Sequence, residues 1–219
     1  EAIMAVHFAG QSCRMDEIIK IAKKHNLLLI EDCAEALGAG FGKKRVGSFG
    51  IGCFSLFPTK IITTGEGGVL TTDDDKAAEK VRALLGHGVL SDTRQREKEK
   101  KPWFRSAVYA GYNYRMSNLQ AAIGVEQLKK INKIITLRKR NALCLSRLLN
   151  PDFFYLPMEE NNSTHVYQMY TIKVKEGIDR DVLVLRLREE GVGASVHFEP
   201  PVHLQSFYRK RYKQDDLKI

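Results

Sequence analysis

The chain has 219 residues, 43% hydrophobic and 28% charged, the balance of an ordinary soluble globular protein. No run approaches the ~18 apolar residues of a membrane span, and the opening EAIMAVHFAG lacks the basic start of a secretory leader. The net charge of +9 narrows the partners to nucleic acid or to a phosphorylated or nucleotide-bearing small molecule.

Taken in chain order, AIMAV (2–6) is a strand. MDEIIKIAKKH (15–25) is a helix, with acids in its first turn and Lys and His in its last, matching its dipole. LLLIED (27–32), GCFSLF (52–57) and GGVLTTD (67–73) are strands, and a helix follows at about 74–85. Undivided apolar strands alternating with amphipathic helices mark a largely parallel sheet covered on both faces. After the polar stretch 91–106, a long helical run begins near Ser117 and continues to about Leu149. VYQMYTIKV (166–174) alternates as a half-exposed strand, DRDVLVLRLREEG (179–191) is a helix ended by Gly191, and VGASVHF (192–198) is a further strand. The expected fold is α/β, with a large domain over 1–140 and a smaller α/β unit over 141–219, joined by the long helix. The opening reads as mid-protein sequence and the ending QDDLKI carries no closing signal, so both ends are expected to be cut from a longer chain.

The basic residues gather in TRQREKEKK (93–101) and LKKINKIITLRKR (128–140). The first mixes with acids and reads as a solvated insertion loop; the second lies on a helix with an apolar stripe, so its charges form the wet face. With no nucleic-acid-binding motif, the small-molecule reading is preferred. Cys13, Cys33, Cys53 and Cys144 show neither CxxC pairing nor metal spacing with the histidines. They read as reduced, mostly buried thiols of a cytoplasmic protein, and no metal site is expected.

The segment FSLFPTKIITTGEGG (54–68) carries the chemistry. A strand ends, Pro58 stops it, and Lys60 stands at the mouth of a glycine-rich turn. Most loop lysines are merely solvated, but an amine held at a sheet edge can do covalent work. Asp32 closes the strand LLLIED, and open parallel sheets bind ligands at that carboxyl edge. Ser55 and Lys60 lie at the end of another strand, within reach of the same crevice. An acid, a hydroxyl and a lysine converging there are what pyridoxal phosphate requires: a lysine for its aldehyde, a carboxylate for its ring nitrogen and donors for its phosphate. Each residue alone is weak, since an acid after a strand commonly caps a helix and a strand serine commonly carries no chemistry.

Their order does more, because the chain resembles the DegT/DnrJ/EryC1/StrS sugar aminotransferases, a branch of the fold-type-I PLP enzymes. The resemblance rests on AIMAVHFAGQSCRMDEI, LLLIEDCAEALGAGFGKKRVGSFG, CFSLFPTKIITTGEGGVLTTDD, GYNYRMSNLQAAIGVEQLKKI and GVGASVHFEPPVHLQSFY, which follow the family's order. They cover nearly the whole chain apart from an insertion at 88–108 and variable parts of the second half. By position, the resemblance implies Lys60 as the Schiff-base lysine, Asp32 as partner of the pyridinium nitrogen and Ser55 as a phosphate ligand. Glu35 falls where the family often has Gln, beside the ring hydroxyl; a carboxylate there accepts but cannot donate unless protonated. Asn113, in GYNYRMS, matches a residue that reaches the cofactor phosphate of the neighbouring subunit, so a homodimer with shared sites is implied. Arg115 either assists at the substrate or forms a structural ion pair. His197 and His203 lie in a segment that borders the sugar-nucleotide pocket in relatives, and His7 reads as structural.

The resemblance further implies residues before AIMAVH, carrying the aromatic that stacks on the ring and a Gly-Thr/Ser phosphate turn, and a continuation beyond DDLKI. The expected activity is PLP-dependent transamination of a nucleotide-linked keto-sugar, glutamate being the donor, in amino-sugar or cell-surface polysaccharide biosynthesis. A non-catalytic regulatory relative is the rival from another class. A PLP-dependent sugar dehydratase is the rival within the family, although those replace the lysine by histidine.

Overall fold

The computed structural model describes residues 1–90 and 103–212. The basic run 93–101, read above as an insertion loop, and the ending QDDLKI lie outside the described residues. The chain divides into two compact units, Glu1–Leu149 with Leu156–Ile172, and Asn150–Tyr155 with Lys173–Ile219.

The larger unit begins with β1 (Ala2–Val6), α1 (Met15–Lys24) and β2 (Leu28–Asp32). A side hairpin of β3 (Gly40–Phe41) and β4 (Lys44–Arg45) precedes β5 (Ile51–Ser55) and β6 (Gly68–Thr71). The main sheet has the order β1–β2–β5–β6, with β1 parallel to β2 and β2 parallel to β5. Only β6 runs antiparallel, folding back along β5 so that Ser55 pairs with Gly68. Register decides which side chains share a face. Val6 pairs with Asp32, Asp32 with Cys53 and Cys53 with Leu70, and strand residues alternate sides. Asp32, Cys53 and Ser55 therefore emerge on one face, Glu31 and Gly52 on the other.

The face that carries Asp32 is open among the described residues: Met4 is 62% exposed and Leu28 65%. The covering on both faces expected from the undivided apolar strands is thus absent here on one side. Buried packing gathers beyond the carboxyl ends of the strands, where Cys33, Ala36, Val46, Leu56, Ile61, Ile62 and Val166 form one cluster. Small residues in CAEALGA let the chain turn tightly at this point, and the two isoleucines after Lys60 sink into the same cluster.

Helix boundaries follow their local chemistry. Helix α1 has Asp16 and Glu17 in its first turn, Lys23 and Lys24 in its last, and buries Met15 and Ala22. Asp74 accepts the Lys76 and Ala77 N–H groups to start α2 (Asp75–Leu85). Ser117 and Gln120 form a reciprocal cap for α3 (Asn118–Leu128). The long helix expected from Ser117 to Leu149 is two helices, because the chain turns at Lys129–Lys130 before α4 (Ile131–Leu148). Residue 140, the expected domain boundary, falls inside α4. Ile131, Ile134 and Ile135 of α4 pack on the buried cluster.

In the second half, β7 (Phe154–Tyr155) and β9 (Lys173–Val174) pair antiparallel in the smaller unit, whereas β8 (Ser163–Thr164) pairs with β3 in the larger one. The strand expected over 166–174 is therefore reduced to its last two residues. Its earlier part bonds elsewhere: Val166 N–H donates to Gly10, and Arg138 donates to the Tyr167 and Gln168 carbonyls. Helix α5 (Arg180–Glu189) forms as expected, capped by Asp179. The strand expected over 192–198 does not form; that stretch has no ladder partner among the described residues. A 3-10 turn (Val202–Leu204) and α6 (Ser206–Arg211) follow. No helix among the described residues is long and apolar enough to cross a membrane.

Candidate active site

Lys60 is held from both sides in sequence. Leu56 before it and Ile61 and Ile62 after it are at most 5% exposed, so the intervening turn cannot swing away without uncovering them. The Lys60 N–H donates to the Phe57 carbonyl, and both Thr63 Oγ1 and the Thr64 N–H donate to the Leu56 carbonyl. The glycine-rich turn is tied as well, since Thr64 Oγ1 and Gln120 Nε2 both donate to the Glu66 carbonyl. At Gly67 a Cβ would stand 2.6 Å from Thr64 Oγ1, in a backbone of φ +155°, so the turn needs glycine there.

The Lys60 ammonium lies 3.6 Å from Glu35 Oε1, and the two side chains are only 19% and 18% exposed. Glu35 is fixed in turn by the Ala9 N–H, which donates to Oε2 at 2.9 Å. The structure thus brings Lys60 and Glu35 together, with Glu35 accepting a hydrogen bond from the Ala9 N–H. Gln168 holds the same turn from another side: its Nε2 donates to the carbonyl of Thr59, next to Lys60. Its Oε1 is buried without a hydrogen-bond partner among the described residues.

Asp32 stands at the carboxyl end of β2 with Oδ1 accepting the Ala34 N–H at 3.0 Å. Its charge and burial together push the neighbouring Cys53 thiol above its ordinary value, burial being the larger cause. Ser55 Oγ accepts the Phe57 N–H at 3.3 Å, which leaves its hydroxyl proton to donate outward. Asp32 and Ser55 share a sheet face and edge, as the register requires. Asn113 and Arg115 form a separate exposed cluster, bonded to each other and to His87. His197 and His203 belong to the smaller unit, where the His197 ring lies 3.8 Å from that of Phe198.

Behind Asp32, on the opposite sheet face, lies a buried network that sequence reading left aside. Glu31 is fully buried, and each of its oxygens accepts two N–H groups: Phe49 and Gly50 on Oε1, Gly47 and His7 Nε2 on Oε2. The Cys13 amide donates to His7 Nδ1, so the ring proton sits on Nε2 and faces Glu31. Burial pulls the Glu31 carboxyl upward, but His7 and the three amides outweigh it and hold it below its ordinary 4.5. Cys33 lies close enough that His7, Glu31 and Cys33 offer ligand atoms within 4.8 Å of one another. Glu31 already spends its acceptor capacity on four donors, which makes the cluster a structural clamp on the 47–50 turn. The thiols differ from expectation too: Cys33 is buried, but Cys53 and Cys144 are exposed, Cys53 because it lies on the open sheet face. Sequence signals for the missed residues were thin. Glu31 adjoins Asp32 and only strand alternation separates their roles, Gln168 sits in an unremarkable alternating run, and His87 is marked only by a glycine on either side.

A doubly layered α/β unit with an amine, a carboxylate and a hydroxyl at the carboxyl ends of neighbouring strands is the frame of a fold-type-I PLP-transferase domain. Residues 1–219 match the DegT/DnrJ/EryC1/StrS aminotransferase family, and the chain belongs to that family. It is 41% identical over 226 residues to GDP-perosamine synthase of Caulobacter vibrioides, a match spanning 100% of this chain and 57% of that protein. Among solved structures it resembles Helicobacter pylori PseC, an aminotransferase involved in the biosynthesis of pseudoaminic acid. There the TM-score is 0.86 at 29% identity, over 96% of this chain and 55% of that one. It also resembles E. coli GDP-4-keto-6-deoxy-D-mannose-3-dehydratase with bound hydrated PLP, at TM-score 0.75 and 30% identity over 87% and 51% of the two chains. The chain spans little more than half the length of these relatives.

Proposed function

We propose that the full-length protein is a PLP-dependent aminotransferase that aminates a nucleotide-linked keto-sugar, with glutamate as amino donor, in the cytoplasm. The observation that carries this reading is the clamped Lys60–Glu35 pair at the sheet edge. The residues fit the cofactor: Lys60 offers an amine, Asp32 keeps one oxygen beyond its bond to Ala34, and Ser55 keeps a hydroxyl proton. PLP, when bound, supplies an aldehyde for that amine and a protonated ring that withdraws electrons from the donor's Cα. With the cofactor bound, Asp32 would hold the proton at the ring nitrogen, Ser55 would donate to the phosphate, and Glu35 would accept beside the ring hydroxyl. Lys60 Nζ, when not engaged with the aldehyde, would take the proton from the donor's Cα. The same groups would serve the second half, in which the donor's amino group replaces the sugar's ketone oxygen and that oxygen leaves as water. The basic surface suits a substrate bearing a diphosphate.

Asn113 is proposed to complete the partner's site in a two-fold dimer, which its exposure supports; Arg115 stands with it toward the substrate. His197 as a sugar-nucleotide contact rests on family resemblance alone. A dehydratase relative exists, yet Lys60 favours transamination over that reading, and a regulatory protein would have no need of so constrained a lysine. In the full-length protein, Lys60→Ala should abolish turnover and the borohydride-fixable visible band while altering stability by less than about 1 kcal/mol. Retained transamination would overturn the assignment.

A further inference from the structure

We infer that His87 is a positioning residue that fixes the phosphate-binding amide of Asn113 by way of Arg115. This rests on the reading that Asn113 serves the cofactor phosphate of the second subunit.

The backbone comes first. His87 stands just past the Gly86 that caps α2 and adopts φ +64°, an uncommon left-handed conformation for a residue with a side chain. Its N–H donates to the Tyr112 carbonyl, the Tyr112 N–H to Leu84 and the Tyr114 N–H to Leu85, while Gly86 bridges to Asn113. The fit beside it is close: a Cβ on Gly88 would stand 1.9 Å from the Tyr109 carbonyl oxygen. The end of α2 and the segment 107–114 are thereby locked together, and the His87 ring is delivered to residues 113–115. A strained conformation persists only where its surroundings over-determine it.

Side-chain chemistry then sets the direction. Arg115 donates to Asn113 Oδ1 from Nε at 3.3 Å and from Nη2 at 3.2 Å, and its Nη2 lies 3.3 Å from His87 Nε2. A guanidinium has donors only. Asn113 must therefore turn its oxygen to Arg115, which leaves its NH₂ facing outward, the end an anion needs. By the same logic His87 Nε2 accepts, so the ring proton lies on Nδ1. All three side chains are exposed, so the arrangement contributes no core packing that would explain it. Without the imidazole, Arg115 loses its second contact and the Asn113 amide is free to flip, which would present a carbonyl oxygen to the phosphate.

The test compares PLP with pyridoxal, which lacks the phosphate, by absorbance titration of the cofactor-stripped full-length protein. His87→Gly removes the ring and keeps the left-handed turn. It should weaken PLP binding about 3- to 10-fold, the effect of one hydrogen bond, and leave pyridoxal unchanged. Added to Asn113→Ala, it should cause no further loss, because residues acting through one another are not additive. Unaltered PLP binding in His87→Gly, equal weakening of both ligands, or full additivity with Asn113→Ala would each overturn the inference. Asn113→Ala alone separates the two layers. If it binds PLP as well as the parent protein, the reading of Asn113 fails; if it loses PLP selectively while His87→Gly does not, only the role of His87 fails.

Discussion

Glu31→Gln keeps the size of a fully buried side chain and replaces one carboxylate oxygen by NH₂. Each oxygen now accepts two donors, Phe49 at 2.8 Å and Gly50 at 2.9 Å on one, His7 at 3.1 Å and Gly47 at 2.7 Å on the other. Whichever way the amide turns, two donors end up facing a donor, with no solvent to take them. At about 1.5–3 kcal/mol for a hydrogen bond to a charged group, the loss is about 3–6 kcal/mol, a large share of the 5–15 kcal/mol typical of a domain. Urea unfolding reads it directly: with an m-value of about 1–3 kcal/mol/M, the midpoint should fall by at least ~1 M. A loss below about 1 kcal/mol would refute the claim that this network clamps the 47–50 turn to β2.

Acid titration supplies a related expectation. Because Glu31 is held below its ordinary 4.5, its contribution is complete above that pH and is lost as pH falls through the lowered value. Stability plotted against pH should therefore fall less steeply in Glu31→Gln than in the parent below pH 4.5, and equal slopes would count against the assignment. Asp32→Asn should retain the cofactor but slow turnover on the order of 10²- to 10³-fold, as loss of one preorganised electrostatic group does; an unchanged rate would mark Asp32 as a simple cap of Ala34. Gln168→Leu removes the bond to Thr59 together with a buried, unpaired acceptor, so stability should move by less than about 1 kcal/mol while kcat falls. Unchanged kcat would show that Thr59 needs no such hold. Mixing Lys60→Ala with Asn113→Ala subunits should restore about a quarter of all sites if pairing is random, and no recovery despite proven exchange would rule out shared sites.

Where the chain is written in continuous apolar runs, the sequence reading located the strands to within a residue or two, and with them the strand-end positions of Asp32 and Ser55. It erred where alternation reports burial without reporting a ladder. Residues 166–172 alternate, yet their backbone groups are engaged by Gly10 and Arg138, partners remote in sequence. The break at Lys129–Lys130 carries neither glycine nor proline, so nothing local announces it. Glu31 and Asp32 are one residue apart and chemically alike; only the pleat, which sends one to a buried clamp and the other to the open edge, tells them apart. His87 and Gln168 act through contacts that exist only after folding.

The antiparallel return of β6 along β5 makes Ser55, Lys60 and Gly68 parts of a single hairpin. Their spacing is set within one short stretch of chain, stapled by its own ladder and by Ile61 and Ile62. The separation of Ser55 and Lys60 is therefore fixed largely within residues 51–71. For an engineer, residues 51–71 form one structural unit to be exchanged whole, whereas Asp32, Glu35 and Asn113, proposed above to complete the site, lie outside it.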